Sequence, residues 1–362
     1  MSGTLTRRAL RRSLDQIRYV TAVRPAAAHG LVDIVYRQVE REFGLLAPPV
    51  ALHSPAPGPL AACWLMLRET LLAPSPAGRP ARETVAAAVS LANTCPYCTA
   101  VHATAVRAAA GGPVAAALAA DRVTDIPDPA LRAIAVWARA SAQAGQAAAH
   151  PAPLPAGQAP DLAGVAVTFQ YLNRMVNVFL GASPLPPGVP GVLARPLGGL
   201  LGRVMLSADP PGPDPAPDPA PDPAADPRPD LLPAAELPGD LAWTAGSPRI
   251  ASAFARASAA IEQAGRDAVP AGVRDLTLAE LARWDGRPPG PSRAWADAVV
   301  SRLSRADRPA GRLVLLTAFA SYQVLPADIA GFRQVRPEDE ALIGLTSWAS
   351  LAAARRLGSW LS

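Results

Sequence analysis

Glu83, Cys95, Cys98 and His102 are the residues of this chain whose types and spacing can do chemistry. They fall in the pattern E-x11-C-x2-C-x3-H. On a helix, Cys95 and Cys98 are i and i+3, and Cys98 and His102 are i and i+4, so all three share one face. Pro96 suits the first position of a helix, which makes Cys95 the N-cap and places both sulfurs in the first turn. Unpaired backbone N–H groups and the helix dipole there favour a thiolate, the reactive form of cysteine. This reading expects a depressed pKa for Cys98, His102 as the base that takes its proton, and Cys95 at the more exposed helix start. Glu83, on the preceding helical segment, orients His102 or relays a proton through water. The pattern reads as a redox-active dithiol.

The elements that must position these residues read as helices. Residues 30–43, 60–72, 81–92, 95–110, 113–121, 128–146 and 161–181 carry helical periodicity, with Pro- and Gly-rich joints between them. Few runs alternate with period two, so the expected fold is all-α with no sheet. In the Tyr171–Phe179 segment, Asn173, Arg174 and Asn177 share one face, which reads as a solvated surface or, alternatively, as the wall of a pocket or a subunit contact rather than as catalytic. Cys63 lies in an apolar run and reads as core.

Between Asp209 and Asp230 the chain becomes a Pro-Asp-Ala tract with little to bury, expected to act as a semi-stiff spacer. The expected organisation is a catalytic helical domain over 1–207, a linker over 208–231 and a second helical unit over 232–362. Sliding the chain by 211 positions lays Arg82 on Arg293, Asp128 on Asp339 and Trp137 on Trp348. The second unit then reads as a degenerate repeat of the first. In that register Ala294, Ala306, Pro309 and Leu313 stand where the first half has its four reactive residues.

Composition narrows the function. Of 362 residues, all 34 basic ones are Arg, which excludes Schiff-base and P-loop lysine chemistry. The net charge of +5 is spread out, without the aromatic-interleaved basic stripes of a nucleic-acid binder. No run of 18 uncharged apolar residues suggests a membrane span, and the arginines near the start lack the apolar run of a signal peptide. Three cysteines with a reactive pair point to a reducing cytoplasm. Zinc lacks a fourth ligand beside the Cys pair and His102. No metal and no cofactor is expected.

The Cys-Pro-Tyr-Cys run with its His and upstream Glu resembles the active-site signature of the alkylhydroperoxidase D-like family, within the carboxymuconolactone decarboxylase superfamily. Asn93 and Tyr97 also resemble residues found around the Cys pair in its peroxidase-related branches, although some members carry His where this chain has Tyr97. The resemblance implies an all-α bundle of that family's kind and a cysteine-dependent hydroperoxide reductase. It also implies a lipoyl- or thioredoxin-type dithiol as reductant, and association into a homo-oligomer. In this assignment Cys98 attacks the hydroperoxide, Cys95 resolves, and Glu83 and His102 serve proton transfer. Two other readings compete: a redox sensor or scaffold that oxidises once without turnover, and the lactone decarboxylation that names the superfamily. The Cys pair argues against the latter.

Overall fold

The computed structural model describes residues 12–153, 158–185 and 231–361, together with residues 202, 205 and 206. The expected linker therefore lies outside the described residues, apart from Leu231. Among the described residues there is no strand. The first half contributes α1 (Gly30–Glu42), α2 (Pro48–Ala51), α3 (Pro57–Leu67), α4 (Gly78–Ala92), α5 (Pro96–Ala110), α6 (Gly112–Ala119), α7 (Pro129–Ala140), α8 (Ala144–Ala149) and α9 (Ala159–Phe179). The second half contributes α10 (Pro248–Ala268), α11 (Ala271–Arg283), α12 (Ala294–Val300), α13 (Arg308–Ala320), α14 (Pro326–Arg333) and α15 (Asp339–Gly358). No helix among them is long and apolar enough to cross a membrane.

Proline sets many of these starts. Pro57, Pro96, Pro129, Pro248 and Pro326 each open a helix, where the missing N–H costs nothing. Asp128 caps α7 through its side chain, accepting from the N–H groups of Ala130 and Leu131. The helix expected over 128–146 is broken after α7. Ser141 donates its hydroxyl back to the carbonyl of Ala138 at 2.7 Å, and the N–H of Ala144 turns to the carbonyl of Asp285 at 2.9 Å. A contact from the second half thus ends a helix that local periodicity would have continued. The segment expected as one helix over 60–72 passes from α3 into a π-helical turn, Arg68–Leu72.

The two halves share one apolar core. Helix α9 packs along α15, and α3 packs along α10. Gly358 permits the first contact, because a Cβ there would lie 2.8 Å from Val167 Cγ2. Trp64, Phe169, Tyr171 and Phe179 from the first half, and Phe254 and Phe332 from the second, are almost wholly buried. Polar pairs cross as well: Arg249 reaches Glu69 at 2.9 Å and Asp161 at 3.4 Å, and the Tyr171 hydroxyl meets Ser347 Oγ at 3.2 Å.

Helix α4 lies against α5, α7 and α9, and in the second half α13 lies against α15. The second half holds no cysteine, so the dithiol belongs to the first half alone.

Candidate active site

Helices α4 and α5 pack against each other and are joined by a tight turn at Asn93 and Thr94. Thr94 has φ +51°, a left-handed conformation that β-branched residues rarely adopt and that costs about 1–3 kcal/mol. The chain then re-enters helix through Cys95, whose N–H bonds the Ser90 carbonyl at 2.9 Å. As the spacing predicts, Cys95 is the N-cap and Pro96 the first helical residue. The Thr99 hydroxyl donates to the Cys95 carbonyl at 3.0 Å and tightens this turn.

Glu83 reaches across from α4. It is fully buried and lies 2.6 Å from His102 Nδ1 through Oε2, and 2.6 Å from Arg79 Nε through Oε1. Burial alone would raise its carboxyl, but Arg79 and His102 outweigh that and hold it at about 2. A carboxylate so placed fixes the orientation of the imidazole. Phe169 of α9 packs against the His102 ring edge to face, with centroids 4.5 Å apart.

The thiols depart from expectation in three respects. Cys95 is buried, at 1% exposure, rather than presented at the helix start. Cys98 is also buried, and its thiol is pushed well above the ordinary range. Burial is the largest cause, followed by its hydrogen bond with Cys95 and the charge of that neighbour, while a hydrogen bond with Asn173 opposes them. Desolvation thus overrides the helix start, and the expected depressed pKa is not found. Lastly, His102 spends Nδ1 on Glu83 and makes no hydrogen bond to Cys98. The structure brings Glu83 to His102 and Cys95 to Cys98. The two pairs are linked only through the shared face of α5.

Helix α9 turns its polar face inward, where solvent, a pocket wall and a subunit contact were the alternatives open from the sequence. Asn173 and Arg174 are buried. Asn173 donates to Ser90 Oγ at 3.0 Å and accepts from Asn93 at 3.1 Å, and Asn177 donates to the Asn93 carbonyl at 3.1 Å. They hold the turn that carries Cys95. Arg79 was missed altogether, although its i−4 spacing from Glu83 is the signal that finds it. Cys63 is fully buried, as expected, and burial pushes its thiol up. Among the described residues no group of three or more His, Cys, Asp and Glu side chains is placed to hold a metal ion.

An acid prediction follows from Glu83. Its folded pKa is lowered, so its contribution to stability is complete above the unfolded value near 4.5 and is lost as pH falls toward about 2. At 1.36 kcal/mol per unit, the loss is roughly 3 kcal/mol. Urea unfolding between these pH values should show that slope, and Glu83→Gln should flatten it. An equal slope in the variant would mean that other carboxylates carry the acid sensitivity.

The fold and site define a class: an all-helical protein with a helix-start dithiol beside a buried carboxylate–imidazole pair. No family model matches the chain, and no solved structure matches it. A protein of Mycobacterium tuberculosis named alkyl hydroperoxide reductase is 36% identical over 348 residues, covering 95% of each chain. The chain belongs to the alkylhydroperoxidase D-like family.

Proposed function

We propose that this protein is a cysteine-dependent hydroperoxide reductase. The observation that carries the reading is the hydrogen-bonded Cys95–Cys98 pair at the start of α5, on the helix that also carries the Glu83-bound His102. The name of the mycobacterial relative points the same way. Cys98 is the attacking thiol. Its raised pKa keeps it protonated at rest, so it needs a base in the site, and His102 is one helical turn away with Nε2 left over after Glu83 takes Nδ1. The Cys98 proton passes to His102, directly or through a water, and Glu83 stabilises the imidazolium.

The thiolate sulfur attacks the distal peroxide oxygen and the O–O bond breaks. The leaving alkoxide takes the proton from His102 and departs as an alcohol, and Cys98 becomes a sulfenic acid. The Cys95 thiol then displaces hydroxide from that sulfur, releasing water and forming the disulfide. A dithiol carrier of the lipoyl or thioredoxin type returns two electrons and two protons, restoring both thiols. The second half, lacking the dithiol, serves as scaffold for the first.

Peptide mass spectrometry after brief hydroperoxide treatment tests the chemistry. The expected result is loss of two hydrogen atoms from the peptide holding Cys95 and Cys98, reversed by a dithiol. A disulfide involving Cys63, or a sulfinic acid in place of any disulfide, would refute the assignment.

A further inference from the structure

Arg79 stands where a cation is poorly placed. It lies in the first turn of α4, at the positive end of the helix dipole, and that turn holds no acidic residue. Arg82, three residues on, is a second cation close enough for the two charges to oppose each other. The Arg79 side chain is partly buried, and its Nη2 is buried without a hydrogen-bond partner, which carries a desolvation cost. Against all this stands one polar contact among the described residues, the 2.6 Å bond from Nε to Glu83 Oε1. A residue that breaks several local rules for one contact points to the use of that contact.

The other charged groups on the elements packed around Glu83 are engaged elsewhere. Arg82 directs its donors to the carbonyls of Gly78, Thr70 and Ala73. On the π-helical turn, Arg68 and Glu69 pair with each other, and Arg249 holds both Glu69 and Asp161 of α9. Tyr171 and Arg174 of α9 turn to His53 and to the Ala318 carbonyl. On α7, Arg132 donates to the Ile126 carbonyl and Arg139 pairs with Asp121, and α6 carries no titratable residue. On α5, besides His102, the titratable groups are Cys95, Tyr97 and Cys98 toward its start and the exposed Arg107. Glu83 therefore meets Arg79 on one oxygen and His102 on the other. An ionised carboxylate only accepts hydrogen bonds, so His102 Nδ1 must carry a hydrogen and Nε2 keeps its lone pair. With Arg79 removed, burial, the largest influence on Glu83, pushes its carboxyl up. A neutral carboxyl donates to Nδ1 instead, which leaves the imidazole hydrogen on Nε2, where it cannot accept from a thiol.

We propose that Arg79 is a positioning residue of the peroxidase reaction: bound to Glu83 Oε1, it keeps that carboxyl an acceptor and so fixes the His102 tautomer whose Nε2 takes the Cys98 proton. This rests on the peroxidase reading above and deepens it. Arg79 exerts its whole effect through Glu83. The helix start that disfavours it is also what makes it effective, because a cation held four residues before Glu83 on one helix face cannot drift from the carboxylate.

Two measurements on the full chain test it, each on wild type, Arg79→Gln and Arg79→Lys. In the first, the side-chain nitrogen resonances of isotope-labelled His102 are followed against pH, since the Glu83–His102 pair takes up its proton as a unit. In Arg79→Gln that uptake should move up by about one pH unit or more, the scale of losing one adjacent charge, while Arg79→Lys should stay near wild type. In the second, single-turnover oxidation by hydroperoxide should show an acid limb displaced by the same amount in Arg79→Gln and restored in Arg79→Lys. A merely structural arginine would scale the rate at every pH and move neither midpoint, and that result overturns the proposal. Because Arg79→Gln leaves a buried carboxylate unpaired, the double variant Arg79→Gln/Glu83→Gln supplies a form without either charge. It should react within about twofold of Glu83→Gln alone, as expected for residues acting as one unit, whereas a further loss of about tenfold would mean that Arg79 acts other than through Glu83 and also overturns the proposal. A displaced nitrogen midpoint in protein whose dithiol no hydroperoxide oxidises leaves the Arg79 assignment standing and overturns the peroxidase reading instead.

Discussion

Glu83→Gln is expected to lower kcat/KM for hydroperoxide at neutral pH by about 10²–10³, the scale of losing an oriented, charge-supported proton acceptor. Gln retains the shape of the side chain and one oxygen for His102, but carries no charge. In the wild type the carboxylate stays ionised far below neutrality, held at about 2, so it supports an imidazolium whenever Cys98 gives up its proton. That support matters more because the Cys98 thiol is raised by burial, and its ionisation at rest is disfavoured. Steady-state turnover and thermal unfolding should be measured together. The same carboxylate also pairs with Arg79 at 2.6 Å, so some loss of stability accompanies the substitution. A variant that turns over within about threefold of wild type, while melting earlier, would make Glu83 a structural ion-pair member only.

A chain ended at Ser207 is expected to aggregate or self-associate. Helix α9 would lose α15, and α3 would lose α10, uncovering a surface that includes Val167, now packed against Gly358. Each large apolar side chain returned to water costs about 1.5–3 kcal/mol, so several of these together are comparable to the roughly 5–15 kcal/mol that holds a typical domain together. Charge pairing suffers too, since Glu69 and Asp161 lose Arg249, and Arg174 loses the Ala318 carbonyl. Size-exclusion chromatography with light scattering should show large or multiple species, with exposed apolar surface as the cause. A monodisperse monomer with unchanged thermal stability would mean that the halves are independent.

Much of this molecule was legible in the sequence because it is encoded locally. Helical periodicity and proline starts placed most first-half helices to within a few residues, and the Cys95-Pro96 step announced the N-cap. Glu83 and His102 were legible as a pair because the motif spacing brings α4 and α5 together. What escaped is what burial and distant packing decide. Spacing shows that two sulfurs sit in a first helical turn, but not that the turn is covered, and coverage reverses the direction of the Cys98 shift. The polar face of Asn173, Arg174 and Asn177 was open to solvent, pocket or subunit readings until α13 and the Asn93 turn closed over it. The break after α7 depends on the carbonyl of Asp285, about 140 residues further along the chain, which no local pattern contains.

The central claim is that Cys98 performs a catalytic cycle on hydroperoxide with Cys95 as its resolving partner. Reductant-coupled hydroperoxide consumption by wild type, Cys98→Ser and Cys95→Ser, run side by side with a lipoyl-type dithiol, tests it most directly. Wild type should turn over many times per active site. Cys98→Ser should fall to background, and Cys95→Ser should oxidise once to a Cys98 sulfenic acid that dimedone traps. Wild-type protein that is oxidised once and then stops, with excess reductant present, would contradict the account and leave a redox sensor in its place.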